Sequence, residues 1–312
     1  MSARVAKCDP RLLDFVTWAV VRGSRLFHRV HVTTHGLTAT RKIHAYDFVA
    51  IVPTSATLSV LNVSEEPSFP LKVSPTNHGE VLHFWGDLSL GSFAFVGFLA
   101  KVLLSGQPQG LRGYLDVLPV DLTTPMSRVA EEGQRTDGYK KMVASLKHYC
   151  KVGDADFDAA FRYSYCLFRR HGIPFWSFSA TGDCEGGHPD FRHSPFVKFG
   201  RGDIIGLVPI LDLASHSVDP NAAIGYPDSE MLQWLVQEKK ASIQSNKGYF
   251  VMQALRDIHE GERVTVNKNA YFNFDDEAFE SWFGFPKVAP GECVPKDAAQ
   301  SAVIDADCLI EP

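Results

Sequence analysis

The sequence has little cysteine, and none of it is arranged for metal or disulfide work. Its six cysteines stand at positions 8, 150, 166, 184, 293 and 308, and no two form a Cys-x-x-Cys or Cys-x-Cys pair. That scatter argues against a disulfide framework and a structural zinc site, and it predicts a reducing compartment, cytoplasmic or mitochondrial and not secreted. No apolar run reaches the length of a bilayer span, so no membrane association is expected. Charge of one sign is also scarce. A net charge of −5 and a pI near 6.2 exclude a surface broadly built for nucleic acid. A local nucleic-acid contact stays open, because the first 36 residues hold Arg4, Lys7, Arg11, Arg22, Arg25 and Arg29 against only Asp9 and Asp14. The basic start, residues 1–8, reads as a short mitochondrial address or as a frayed terminus. No internal repeat is visible.

What is there suffices for a full core. A chain of 312 residues with 45% hydrophobic content can build one large domain or two coupled ones. Apolar residues at helical spacing predict a helix from Arg11 to Val21, with Pro10 in its first turn. Val30–Val32 and Phe48–Val52 read as strands with Gly36 at the turn between them, and Thr57–Val63 as a further β-rich stretch. Phe93–Leu104, Tyr139–Cys150 and Phe157–Phe168 read as helices. Residues 174–203 read as a long polar and aromatic loop. Strands are expected at Ile204–Ile210, Ala222–Tyr226, Gln233–Gln237, Tyr249–Ala254 and Arg263–Val266, followed by a helix over Asp276–Phe283. The boundaries are 1–87, an N-terminal helix and first β-rich part; 88–203, a helical insert with the loop; 204–285, a second β-rich part; and 286–312, a tail. Neither β-rich part can bury a core alone, so the two must meet.

Five stretches in fixed order carry a family resemblance. They are His35-Gly36-Leu37-Thr38-Ala39-Thr40-Arg41-Lys42-Ile43; Tyr114–Pro119 with Thr124-Pro125; Leu207–Asn221, containing Asp212, Ser215 and His216; Ala254–Glu262; and Phe283-Gly284-Phe285. Together they resemble the signatures of SET-domain proteins of the Rubisco large-subunit lysine methyltransferase type, over roughly residues 10–285. The resemblance implies an α+β fold of small SET-domain β-sheets, a helical insert and a knot-like threading of the C-terminal segment. It also implies S-adenosylmethionine on one face and a substrate lysine entering by a channel from the other. Enzymes of this kind often carry a helical domain after the core. Only 27 residues follow Phe285 here, which predicts its absence or reduction.

The resemblance assigns roles residue by residue. Methyl transfer from a sulfonium needs a held cofactor, an aligned neutral amine and little water. Gly36 and Leu37 match the cofactor turn, with Thr34 where the family has another glycine; an ordinary hairpin turn is the competing reading. Asp212, Ser215 and His216 match the cofactor motif, but the family's Asn is Ser215, whose single hydroxyl cannot copy an amide's reach. The same run also reads as a segment that threads the core. Arg169 and Arg170 fall where a family arginine meets the cofactor carboxylate, or simply end a basic helix. Phe285 closes the cofactor side. Lys268 stands where the catalytic Tyr belongs, Asn269 where a Gly belongs, and Phe283 where a second Tyr belongs. Tyr271, three residues on, is the tyrosine that could be recruited. Trp85, Phe93, Phe95 and Phe98 read as channel lining or as core. His188 and His193, with Asp183, Cys184 and Asp190, match no known metal site, and no metal is expected.

Two functions follow. One is an active S-adenosylmethionine-dependent protein-lysine N-methyltransferase using Tyr271. The other is a SET-fold pseudoenzyme that acts as a protein-binding or assembly component of a larger complex, ribosomal or ribonucleoprotein by family analogy. The coincident replacements at Thr34, Ser215 and Lys268 favour the second.

Overall fold

The computed structural model describes residues 10–27, 30–33, 36–74, 76–85, 88–107, 109–175, 205–227, 229–239, 248–272 and 274–287. The loop expected over 174–203, apart from residues 174 and 175, and the tail beyond 287 lie outside them. So do Thr34, His188 and His193.

Two four-stranded sheets form the β framework. The first runs β1 (Arg25–Leu26), β4 (Phe48–Pro53), β9 (Tyr249–Ala254) and β8 (Ala222–Gly225), all antiparallel neighbours. The second runs β2 (Val30–Thr33), β3 (Gly36–Ala39), β10 (Arg263–Val266) and β7 (Ser215–His216). In it β10 lies antiparallel to β3 and parallel to β7, pairing Val264 with Leu37 and Val266 with His216. The C-terminal strand thus passes between an N-terminal strand and the 207–221 run, and the two β-rich halves of the sequence meet. A short ladder joins β5 (Ile173–Pro174) to β6 (Ile205–Gly206).

Every residue of β4 is buried, which explains its unbroken apolar run. One face joins the main core. The other packs on a satellite cluster of Phe48, Ile51, Leu235, Tyr249 and Val251. That second face is covered by a helix, here α8 (Ser229–Lys239), where the sequence predicts a strand at Gln233–Gln237. Met231 and Leu235, four residues apart, both face the cluster, so the helical period wins over the local β-formers. The expected strand at Thr57–Val63 is likewise mostly helix, α2 (Val60–Ser64). Ser59 caps it by accepting from the Leu61 N–H at 3.2 Å, while the Asn62 side chain accepts from the Ser59 N–H at 2.8 Å. The strand expected over Ile204–Ile210 stops at Gly206, with one further bridge from Leu207 to Leu58.

The helices at Pro10–Val21, Leu90–Ser105, Asp137–Cys150, Asp154–His171 and Asp276–Phe283 agree with the sequence reading, while those at Gln109–Val117 and Pro125–Gln134 are helices of the insert that it did not single out. α1 (Pro10–Val21) packs on α4 (Gln109–Val117), and Tyr114 of α4 stacks on Phe15 and Trp18 at 5.0 and 5.8 Å. α3 (Leu90–Ser105) ends on left-handed Gly106 and lies against α7 (Asp154–His171). α5 (Pro125–Gln134) and α6 (Asp137–Cys150) complete the insert, and α9 (Asp276–Phe283) docks on α7. Trp85, Phe93 and Phe95 are fully buried among Tyr139, Phe161, Tyr165 and Phe168, and Phe98 packs against the same core. These aromatics are core, each contributing about 1.5–3 kcal/mol by leaving water. No single helix among the described residues is long and apolar enough to cross a membrane.

Candidate functional site

The site begins at a strained turn. Val208 to Leu213 leaves β6 and turns into a short 3-10 segment, and Ile210 takes φ +75° to make that turn. A β-branched residue there is a backbone outlier that costs roughly 1–3 kcal/mol and persists only where the surroundings enforce it. The turn carries Asp212 into the interior, 1% exposed. Tyr114 donates its hydroxyl to Asp212 Oδ2. Asp212 Oδ1 is buried and has no partner. Burial drives the Asp212 carboxyl up to about 8, with Tyr114 and Lys268 pulling the other way. Tyr114 in turn is held well above its usual range by burial and by the carboxylate.

Lys268 opens the 3-10 turn Lys268–Tyr271 directly after β10. Its Nζ donates to the Arg170 carbonyl at 3.2 Å, and its N–H donates to His216 Nδ1 at 3.1 Å. Burial pushes the Lys268 amine down to about 8, against the opposing pull of Asp212. The accepting Nδ1 fixes the His216 tautomer with its proton on Nε2, which is buried without a partner. Burial, then Lys268 and Lys287, lower His216 to about 4.

His171, the last residue of α7, lies between two carbonyls. Its Nδ1 is 3.1 Å from the Asp212 oxygen and its Nε2 2.9 Å from the Pro119 oxygen. A neutral imidazole donates only one hydrogen, yet burial and the neighbouring Lys268 hold His171 near 3 and therefore neutral. Asp212, Lys268 and His171 all border a cavity of about 360 Å³. Its walls are otherwise mostly apolar, with Ile173 and Pro174, Ala222, Ala223 and Ile224 of β8, and Leu211 and Val266 among them.

The expected site residues divide. Asp212 borders the cavity together with Lys268. Gly36, Leu37, Ser215 and His216 gather instead along β3, β7 and β10, and none of them lines it. Gly36 has φ +128°, and a Cβ there would come within 2.9 Å of Ser215 Oγ, so glycine is required by both conformation and space. Arg169 and Arg170 point to other work. The Arg169 guanidinium lies 3.7 Å over the Trp282 ring and donates to the Trp282 carbonyl at 3.3 Å and the Tyr165 hydroxyl at 3.0 Å. It fastens α9 to α7 and does not end the helix in solvent. Arg170 stacks at 5.0 Å over Phe285, which also lies 5.9 Å from His216. Phe283 is buried against Phe279 and Phe272, keeping the ring of the tyrosine expected there. Asn269 has a task of its own. Its side chain bonds both backbone groups of Phe274, at 2.8 and 2.9 Å, and ties the chain after β10 to the start of the last helix. Tyr271 has its backbone in the 3-10 turn, and its side chain lies outside the described residues. No group of three or more metal-ligating side chains occurs among the described residues.

Sequence reasoning missed Tyr114 and His171 as parts of this site. Tyr114 opens a recognised motif, and His171 directly follows Arg169-Arg170, but only the fold brings both onto the Asp212 segment.

No protein-family model matches the sequence, and no curated protein sequence does. Solved structures do. The SET domain of LSMT bound to lysine and AdoHcy aligns with TM-score 0.56 at 16% identity, covering 89% of this chain and 57% of that one. Rubisco LSMT bound to sinefungin and monomethyllysine aligns at 0.53 and 14%, with 89% and 57% covered. Rubisco LSMT bound to AdoMet aligns at 0.51 and 14%, with 91% and 57% covered. The chain therefore spans a little over half the length of these structures. With nine-tenths of its residues superimposed on them and β10 threaded between β3 and β7, the chain has the SET-domain fold of the Rubisco LSMT structures.

Proposed function

We propose that this SET-fold protein has lost methyl transfer and serves as a protein-binding or assembly component of a larger complex, ribosomal or ribonucleoprotein in kind. Lys268 carries the first half. It stands where the resemblance assigns the catalytic Tyr, borders the cavity and shares its interior with Asp212. An amine has no phenol to set beside a transferring methyl. When charged it repels a sulfonium, by on the order of 4 kcal/mol at about 4 Å and a partly buried effective dielectric.

The surrounding residues do not fit S-adenosylmethionine as the resemblance would seat it. The Ser215 hydroxyl abuts Gly36, the Arg169 guanidinium is engaged by Trp282, and the His216 ring is held by the Lys268 N–H and Phe279. The binding half is supported by apolar surface at the cavity rim. Leu255 is 45% exposed there, and Tyr46, 72% exposed, joins its neighbour by a Tyr46 N–H to Ala254 carbonyl bond of 2.8 Å.

The test is methyl incorporation from tritiated S-adenosylmethionine, with free lysine and ribosomal proteins as acceptors. The unmodified chain should incorporate nothing above background, and the double variant Lys268→Tyr with Ser215→Asn should gain activity. Incorporation by the unmodified chain contradicts the proposal and favours an active protein-lysine methyltransferase with Tyr271 recruited. Co-sedimentation with ribosomes reads the partner half, and Tyr46→Glu should weaken it.

A further inference from the structure

The cavity has features that a mere filled-in methyltransferase pocket does not require. It keeps about 360 Å³ of space, enough for a small organic molecule. Its rim is open, with Ala223, Leu255 and Ala270 exposed. Its walls are mostly apolar, and the ionisable side chains on them are Lys268, Asp212 and His171. Asp212 also leaves one buried oxygen without a partner.

We propose that Lys268 is a nucleophilic amine that captures a small apolar aldehyde or ketone in this cavity as an imine. The Nζ lone pair forms a bond to the carbonyl carbon, and the carbonyl π pair moves to oxygen, which takes a proton from the Asp212 carboxyl that borders the cavity. The carboxylate takes one proton from the nitrogen and passes it to the carbinolamine oxygen, which leaves as water, and it then recovers the remaining nitrogen proton to give the neutral imine and the original carboxyl. The balance is one amine plus one carbonyl compound giving one imine plus one water, with no oxidant or reductant. Lysines become nucleophiles in this way when an apolar pocket strips their solvent. A carboxyl beside the amine supplies and recovers the protons. The Arg170 carbonyl, which accepts from Nζ at 3.2 Å, orients the amine and leaves its lone pair free.

The protonation of Lys268 is set from several elements. Asp212 from the 3-10 segment favours the cation. Arg170 and His171 at the end of α7, and His216 on β7, bear on the same charge, and Arg170 opposes it. Tyr114 of α4 acts through Asp212. With the amine near 8, a useful share of it is unprotonated at neutral pH, unlike that of an exposed lysine.

The experiment uses the full chain with benzaldehyde as probe and sodium cyanoborohydride to reduce any imine, followed by peptide mapping. Lys268 should be labelled at pH 7.5 about tenfold or more faster than exposed lysines such as Lys42 and Lys140. Its rate should level off above about pH 8. Ala223→Trp changes an exposed rim residue and neither reacting group, and it should slow Lys268 labelling to the exposed-lysine rate. Benzyl alcohol, of the same shape but without a carbonyl, should compete at Lys268 and not at Lys42. The inference is overturned if Lys268 labels no faster than Lys42 and Lys140, or if neither the rim substitution nor benzyl alcohol slows it. It stands apart from the proposed loss of methyl transfer, because imine trapping reads the amine and the methylation assay reads the cofactor seat.

Discussion

His171 shows how far a single residue governs this site. Its ring is buried between the Asp212 and Pro119 carbonyls and held near 3. The folded state therefore refuses a proton that the unfolded state accepts below about 6.5. Stability from this group is present above pH 6.5 and is lost as pH falls toward 3, by up to about 1.4 kcal/mol per pH unit. Asp212 works in the opposite direction. Its folded pKa is raised from 3.8 to about 8, so its contribution is complete below pH 3.8 and is lost as pH rises toward 8. The two slopes oppose each other between about pH 4 and 6.5. Replacing the histidine by His171→Gln removes only the first. Urea unfolding at pH 4.5 and 6.5 should show the variant gaining less stability on that rise than the parent, and equal gains would remove His171 from the account. A second residue-scale prediction concerns Gly36. With φ +128° and Ser215 Oγ in the way of any Cβ, Gly36→Ala should destabilise the protein by roughly 1–3 kcal/mol in urea unfolding, with Ser215→Gly relieving only the steric part.

Among the elements, the docking of α9 on α7 depends on few contacts. Arg169 supplies a cation–π contact to Trp282 and hydrogen bonds to the α9 backbone, a cluster that lies on the surface side of the joint. Arg169→Ala should cost about 1–2 kcal/mol and raise hydrogen exchange in α9 ahead of α3. Exchange that stays unchanged in α9 would mean that the Phe279 and Phe283 packing alone holds the helix. Elements also mark where the sequence was readable. α3, α6 and α7 were plain in it because each repeats its apolar residues over many turns. α8 was hidden because Trp234 and Val236 read as β-formers, while the sheet face that favours a helix there exists only after β4 and β9 pair. α2 was hidden by shortness, although the Ser59 and Asn62 pair is a legible cap.

The whole molecule was legible because five weak motifs in order constrain one another more than any one does alone. The site was legible only in part. Asp212 and Lys268 were singled out, but burial turned them into a shared ionisable pair in one cavity, and burial cannot be read from spacing. Arg169 was expected near a cofactor and instead fastens a helix, because nothing in its sequence context shows that Trp282 arrives beside it. The central proposal is that the residues at Ser215, Arg169 and Lys268 do not seat S-adenosylmethionine in this chain. Calorimetric titration of the full chain with S-adenosylmethionine tests it most directly. The account predicts no saturable heat up to millimolar cofactor at pH 7.5; saturable binding in the micromolar range would contradict it.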